Sequence, residues 1–226
     1  MLIKLADVLR IFWRFRYYIL CAAVTLVLWD TLLLRPFRVF VVMVHEIFHA
    51  AAALATGGEV VEMRTNADES GHTLTRGGLF PLISAAGYVG SAALGALLIY
   101  AGATPQLQRL LVLLIGASCM GMTMAFTPPG AGDFYFGIGV GLVLACVAIK
   151  SQRLSVAAAI WIGIMLCLYS LYDFRTDLTV PQRTDAGILA HYWGEPLLAY
   201  PIALAWVLLS TSLMYRAMRA LVRCRR

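Results

Sequence analysis

Long apolar runs separated by short polar connections dominate the chain. Seven such runs lie at about residues 15–34, 38–56, 82–103, 107–127, 134–150, 154–173 and 196–215. A helix needs about 20 apolar residues to cross the hydrocarbon core of a bilayer. Lipid offers no hydrogen-bond partners to free backbone groups, so the crossing segments must be helical. The pattern therefore predicts an all-α integral membrane protein with about six to seven transmembrane helices.

Two polar stretches interrupt this pattern. Residues 57–80 contain alternating segments around a turn-like "NADES", which predicts a small β-hairpin directly after the second run. Residues 173–195 are interpreted as a polar loop with three aspartates and a short helix after Thr184, a favourable N-cap residue. Because no internal repeat is found, we expect residues 1–226 to form a single membrane domain.

The composition agrees with a chain solvated by lipid. Of its residues 61% are hydrophobic and only 13% are charged, whereas a soluble domain is about half apolar and a quarter charged. In so apolar a chain the net charge of +6 is interpreted by its position relative to the membrane runs, so we expect the lipid bilayer and no nucleic acid as partner. Five scattered cysteines without a Cys-x-x-Cys pair argue against a disulfide framework or a cysteine-based zinc site.

The second run, "RVFVVMVHEIFHAAAALATGG", carries three ionisable residues in its middle: His45, Glu46 and His49. On a helix the two histidines share a face one turn apart, so both imidazoles can bind one zinc ion while Glu46 lies beside it as a general base. Ionisable side chains at mid-membrane cost roughly 2.5–3.5 kcal/mol each on insertion scales, so they require a partner or a function. The H-E-x-x-H pattern therefore predicts a zinc metallopeptidase site within the membrane.

Three consecutive features resemble a known family: "VHEIFHAAAALATGGEV", the hairpin, and "SAAGYVGSAALGALL". They are similar to the M50 intramembrane metallopeptidases of the site-2-protease type, most closely the M50B-like branch, strongly over residues 41–98 and more loosely to about 195. The resemblance implies a zinc-dependent endopeptidase that cleaves membrane proteins within or beside their helices. It also implies that Gly87, Tyr88 and Gly90 lie beside the metal and bind substrate, and that the hairpin guides an unwound substrate strand by edge pairing.

A catalytic zinc ion requires a third protein ligand. If each apolar run crosses the membrane once, successive connections lie on alternate sides. Four candidate aspartates then lie on the side where the second run ends: Asp133, Asp173, Asp177 and Asp185. Site-2 proteases carry this ligand two helices after the histidines, where Asp133 lies but without the Leu-Asp-Gly sequence. The M50B-like branch has an aspartate late in its sixth run and then Ser/Thr-Asp-Ala, which Asp173 and Asp185 match. Since an unpaired carboxylate on an apolar helix is costly, we favour Asp173, with Asp133 and Asp185 as alternatives.

Two other functions fit parts of the pattern. One is a non-proteolytic membrane scaffold or regulator that retains the metal site, and the other is a metal or solute transporter, which the lack of a repeat disfavours. The basic residues before the first run place the hairpin side in the cytoplasm, whereas the arginine-rich C-terminal tail favours the opposite orientation. We expect a multi-pass protein of the cell (inner) membrane that acts on a membrane protein substrate, and no motif indicates an oligomeric state.

Overall fold

The computed structural model describes residues 5–179 and 184–224, with the side chains of residues 5–11, 14 and 173–178 outside this description. Within these ranges the fold is almost entirely helical, as predicted. Its helices are α1 Leu5–Leu28, α2 Arg35–Ala55, α3 Phe80–Ala85, α4 Ser91–Tyr100, α5 Pro105–Phe126, α6 Gly132–Lys150, α7 Gln152–Thr179, α8 Asp185–Tyr192 and α9 Ala199–Cys224. A π-helical turn, Ala86–Gly90, joins α3 to α4, and 3₁₀ turns lie at Ala101–Ala103 and Pro196–Leu198.

Six helical segments of the described chain are long and apolar enough to cross a membrane. They are Arg35–Ala55, Phe80–Ala103, Pro105–Phe126, Gly132–Lys150, Gln152–Tyr172 and Pro196–Cys224. The protein is therefore a multi-pass integral membrane protein. The first run was predicted at residues 15–34, but its apolar helix ends at Leu28. The apolar part of this helix is Phe15–Leu28, and residues 29–34 form turns before α2.

Glycines allow two pairs of helices to approach closely. A Cβ atom added to Gly116 of α5 would lie 2.8 Å from the backbone oxygen of Gly141 in α6, and one added to Gly95 of α4 would lie 3.0 Å from that of Gly163 in α7. In lipid, helices gain little from the hydrophobic effect, so close backbone contact supplies much of their association. These glycines therefore allow α5 to pack closely on α6 and α4 on α7.

The main apolar core surrounds the first half of α2. Val41 is fully buried there and belongs to the same cluster as Leu98 of α4, Val112 of α5 and Leu166 of α7, all of which are also fully buried. Side chains packed at this density resist movement. The core therefore fixes the helix whose next two turns carry the histidines.

The hairpin lies alongside α2. Strands β1, Glu59–Thr65, and β2, Gly71–Arg76, pair antiparallel, which confirms the hairpin predicted within residues 57–80. Thr73 of β2 lies beside Glu46 in the middle of α2, while Glu69 in the turn forms an ion pair with Arg38 near the start of that helix. The hairpin therefore runs along α2 from Arg38 to the level of the H-E-x-x-H segment.

The stretch predicted to be a polar loop is partly helical. No proline or glycine follows Asp173 until Pro181, and α7 continues to Thr179. Thr184 then caps α8, its Oγ1 accepting a hydrogen bond from the backbone nitrogen of Gly187 at 3.3 Å, as its sequence position predicted. The loop prediction was therefore wrong for residues 173–179, because the helical pattern persists past the apolar run.

Candidate metal and catalytic site

The two histidines of α2 face the same direction. The Nε2 atoms of His45 and His49 are 2.9 Å apart. His49 Nδ1 donates a hydrogen bond to the backbone oxygen of Ile83 at 2.6 Å, and Nε2 is the nitrogen that faces His45 and Asp185. The pair therefore presents nitrogen ligands toward one point, as the i, i+4 spacing predicted.

Asp185 supplies a carboxylate at this point. Its Oδ2 lies 2.9 Å from His45 Nε2 and 3.2 Å from His49 Nε2. The ligand atoms of the three residues all lie within 4.8 Å of one another, and they form the one potential metal-holding group found among the described residues. Asp185, one of the two alternatives to Asp173, is thus the aspartate that lies beside both histidines among the residues whose side chains are described.

The other two aspartates have different surroundings. Asp133 is nearly buried at the start of α6, where its Oδ2 accepts hydrogen bonds from Arg64 Nε at 2.8 Å and from the backbone nitrogen of Thr65 at 3.2 Å. It therefore anchors the hairpin and does not join the histidines. The side chain of Asp173 on α7 lies outside the described residues, so a ligand role for it stays a prediction.

Contacts of α8 with its neighbours hold Asp185 in place. Ser84 Oγ of α3 donates a hydrogen bond to the backbone oxygen of Asp185 at 2.8 Å. The next turn buries Ala186 and Leu189 against Trp206 of α9. Burial raises the pKa of the Asp185 carboxyl, but the imidazoles of His49 and His45 beside it lower the pKa by more, so it lies well below its ordinary value. The group is therefore held as a carboxylate.

Glu46 lies next to the histidines but faces the hairpin. It is only 5% exposed. Its Oε2 accepts a hydrogen bond from Thr73 Oγ1 at 2.7 Å. This hydrogen bond holds the Glu46 side chain against β2, one residue along α2 from His45.

The π-helical turn packs two glycines, Gly87 and Gly90, against side chains of α2. A Cβ atom added to Gly87 would lie 2.5 Å from Nε2 of His45 and closer still to Nε2 of His49. One added to Gly90 would lie 2.6 Å from Cγ of Phe48. Single π-helical turns within α-helices often occur at functional sites. The structure places Gly87 beside the histidines, as the family resemblance implied.

Tyr88 points away from the histidines into the helical core. Its side chain is 3% exposed, its hydroxyl donates to the backbone oxygen of Ser170, and its ring packs against Trp206. Tyr88 therefore holds the π-helical turn against α7 and α9. Direct contact of Gly87, Tyr88 or Gly90 with a substrate stays a prediction.

Sequence reasoning did not identify three residues that support the site: Thr73, Ile83 and Ser84. The alternation of β2 indicates which strand residues share a face with Thr73, but it carries no information on the partner of that face. Ile83 acts through its backbone oxygen, which no side-chain pattern reveals. The supporting role of each of these residues can be identified only when the tertiary contacts are known.

The donor set fits a zinc ion. Two imidazole nitrogens and a carboxylate oxygen are a common ligand set of catalytic zinc, which keeps a further position open for water or substrate. The hydrogen bond from His49 to Ile83 is the outer contact that usually orients a histidine ligand. Gly87 also leaves room on one side of both Nε2 atoms that a side chain would fill.

A large apolar cavity lies apart from this cluster. Its volume is about 930 Å³, and it is lined by residues of α1, α2, α6 and α7 and by the turn before α2, including Phe37, Tyr135 and Trp161. None of its described lining residues is a histidine or carries a charge. The cavity therefore offers no groups for hydrolytic chemistry.

The chain matches one family of known proteins over most of its length. A profile of the family described as Peptidase M50B-like matches residues 18–217, which is most of the chain. The chain belongs to the Peptidase M50B-like family. This confirms the resemblance drawn from the sequence, and the match includes α2, the hairpin, the π-helical turn and α8. No curated protein and no solved structure matches the chain at a significant level.

Membership of the M50B-like family has a direct consequence for the class of protein. The family is one of peptidases, and M50 peptidases in general depend on zinc. Among the described residues the cluster of His45, His49 and Asp185 is the place where such an ion could bind.

Proposed function

We propose that this M50B-like protein is a zinc-dependent intramembrane endopeptidase that cleaves membrane proteins within or next to their helices. One observation carries the proposal: Asp185 of α8 meets His45 and His49 of α2, a helix that is apolar enough to cross a membrane and that also carries Glu46. Ionisable side chains in the middle of such a helix are costly. A bound cation and a catalytic role account for all four together.

Each residue of the cluster has a separate role in this proposal. His45 and His49 would hold zinc through Nε2, and Asp185 would hold it through its carboxylate. The chemistry that such an ion would supply is a water of lowered pKa and polarisation of the scissile carbonyl. The Glu46 carboxylate accepts a proton from the attacking water and delivers it to the leaving amide nitrogen.

The hairpin fits the requirements of a membrane-embedded substrate. A helical substrate must unwind before its peptide bond can be attacked, and lipid offers no partners to the backbone groups so exposed. An extended strand can satisfy them by pairing with the edge of a sheet. The hairpin lies alongside α2 at the depth of Glu46, so its backbone can hold an unwound segment next to the cluster.

Replacing Glu46 with glutamine tests the proposal, because it removes the proton acceptor and keeps the size of the side chain. We expect the cleavage rate to fall by about 10²- to 10⁴-fold while the zinc content stays at the wild-type value. Cleavage would be measured with purified protein in liposomes that contain a panel of single-span membrane proteins. Zinc per chain would be measured by elemental analysis.

Glu195→Gln is the matched control for this experiment. Glu195 is exposed in the connection between α8 and α9, so its substitution should leave both quantities unchanged. The proposal fails if the wild type binds no zinc, or if it cleaves no better than Glu46→Gln. Full rescue of a deletion strain by Glu46→Gln would instead favour the non-proteolytic scaffold.

A further inference from the structure

Strand β2 contacts the carboxylate of Glu46 directly. Thr73 Oγ1 lies 2.7 Å from Oε2 of Glu46 and 3.1 Å from its backbone oxygen. A hydroxyl has one proton to donate, and the side-chain oxygen of Glu46 is the closer of its two acceptors. A residue of the hairpin therefore determines the orientation of the Glu46 side chain.

Gly71 forms a second contact with the same group. A Cβ atom added there would lie 2.6 Å from Oε1 of Glu46 and 2.9 Å from Cγ1 of Val42. Gly71 and Thr73 are two residues apart on the strand, so they face the same side. Together they bracket the carboxylate, with Gly71 next to Oε1 and Thr73 next to Oε2.

Polar contacts at the tip of the hairpin fix the position of β2 against α2. Arg38 forms a bidentate ion pair with Glu69, both nitrogen–oxygen distances being 2.6 Å. Arg35 donates to the backbone oxygen of Ala67 at 2.9 Å. On the opposite side, Asp133 binds the end of β1 through Arg64 and the backbone of Thr65, the residue that pairs with Gly71. These contacts hold the strand at the end that adjoins Glu46.

We propose that Thr73 is a positioning residue for Glu46, so that the hairpin controls the proton-transfer group as well as supporting the substrate. The inference rests on the proposed function, since it assigns Glu46 the role of general base. The proposal has a consequence for substrate binding. A substrate strand that pairs with the hairpin contacts the same element that orients Glu46, so substrate binding and proton transfer are coupled.

Thr73→Val and Thr73→Ser test this role in the full-length protein in liposomes. Valine has nearly the shape of threonine but no donor, so kcat should fall by about 10- to 100-fold, while KM and the zinc content change little. Serine keeps the hydroxyl and should retain most of kcat. Thr211→Val is the matched control, because it removes a hydroxyl that binds only the backbone of Val207 on an exposed face of α9.

A double-mutant cycle provides a readout that does not depend on activity. The thermal unfolding of wild type, Thr73→Val, Glu46→Gln and the double variant would be compared in detergent. If the hydroxyl donates to the charged carboxylate, the effects of the two substitutions should not add. Thr73→Ala removes the same donor with a smaller side chain and takes the place of Thr73→Val if that variant does not fold.

Three results would overturn the inference: wild-type kcat in Thr73→Val, equal loss of kcat in Thr73→Ser and Thr73→Val, or loss of zinc from Thr73→Val. Additive effects in the cycle would overturn it as well. A coupled pair in a wild-type protein that cleaves nothing would instead contradict the proposed function. The two failures are therefore distinguishable.

Discussion

Replacing Asp185 with alanine is expected to lower the zinc affinity of the protein by at least about 100-fold, since loss of an outer-shell partner alone commonly costs 10- to 100-fold. The substitution removes Oδ2, the oxygen that lies 2.9 Å from Nε2 of His45 and 3.2 Å from Nε2 of His49. The two imidazoles that remain leave a zinc site without its third protein ligand. Competition with a chromophoric chelator would measure the affinity, and cleavage should be lost together with the metal.

Two other aspartates provide the controls for Asp185→Ala. Asp133→Asn should keep the zinc, because Asp133 binds the hairpin through Arg64 and Thr65. Asp173→Asn should keep it as well if Asp185 is the ligand. Retention of zinc by Asp185→Ala, combined with its loss from Asp173→Asn, would reverse the assignment in favour of the residue that the sequence analysis preferred.

Gly87→Ala is expected to abolish both zinc binding and cleavage. The added Cβ atom would lie 2.5 Å from Nε2 of His45 and closer to that of His49, so either the rings or the π-helical turn must shift. Displacement of catalytic groups by about 1 Å can reduce a rate by 10²-fold. Here the displaced atoms are the metal ligands themselves. Zinc per chain and cleavage in liposomes would be measured on the same preparation.

Gly139→Ala is the matched control for this substitution. Gly139 is also a helical glycine of a membrane-crossing segment, but a Cβ atom added there meets no atom within 4 Å. The variant should keep its zinc and its activity, and its helix should be stabilised by about 0.5–1 kcal/mol relative to glycine. If Gly87→Ala behaved in the same way, the close approach of the π-helical turn to the histidines would be contradicted.

Features that depend on local sequence could be predicted. The apolar runs identified the membrane-crossing helices, and the i, i+4 spacing placed His45 and His49 on one face of α2. The alternation around "NADES" identified the hairpin, and Thr184 marked the start of α8. Each of these signals comes from residues that are close neighbours along the chain, where geometry is fixed by the helix or strand period.

The aspartate that lies beside the histidines could not be deduced in this way. Asp185 reaches the histidines because α8 packs against α3 and α9 through Ala186 and Leu189 and because Ser84 holds its backbone. These are tertiary contacts between segments far apart in sequence. A carboxylate on an apolar helix is costly, and this cost favours Asp173 when the sequence alone is considered. The position of the hairpin alongside α2 and the hydrogen bond from Thr73 to Glu46 likewise depend on tertiary contacts, so the sequence did not predict them.

The central claim is that His45, His49 and Asp185 hold one zinc ion within the membrane region. X-ray absorption at the zinc edge, recorded on the purified wild-type protein, tests it most directly. We expect a spectrum with two imidazole rings, oxygen donors for the remaining positions and no sulfur. A protein that takes up no zinc, or a spectrum with a single imidazole or with sulfur ligands, would contradict it.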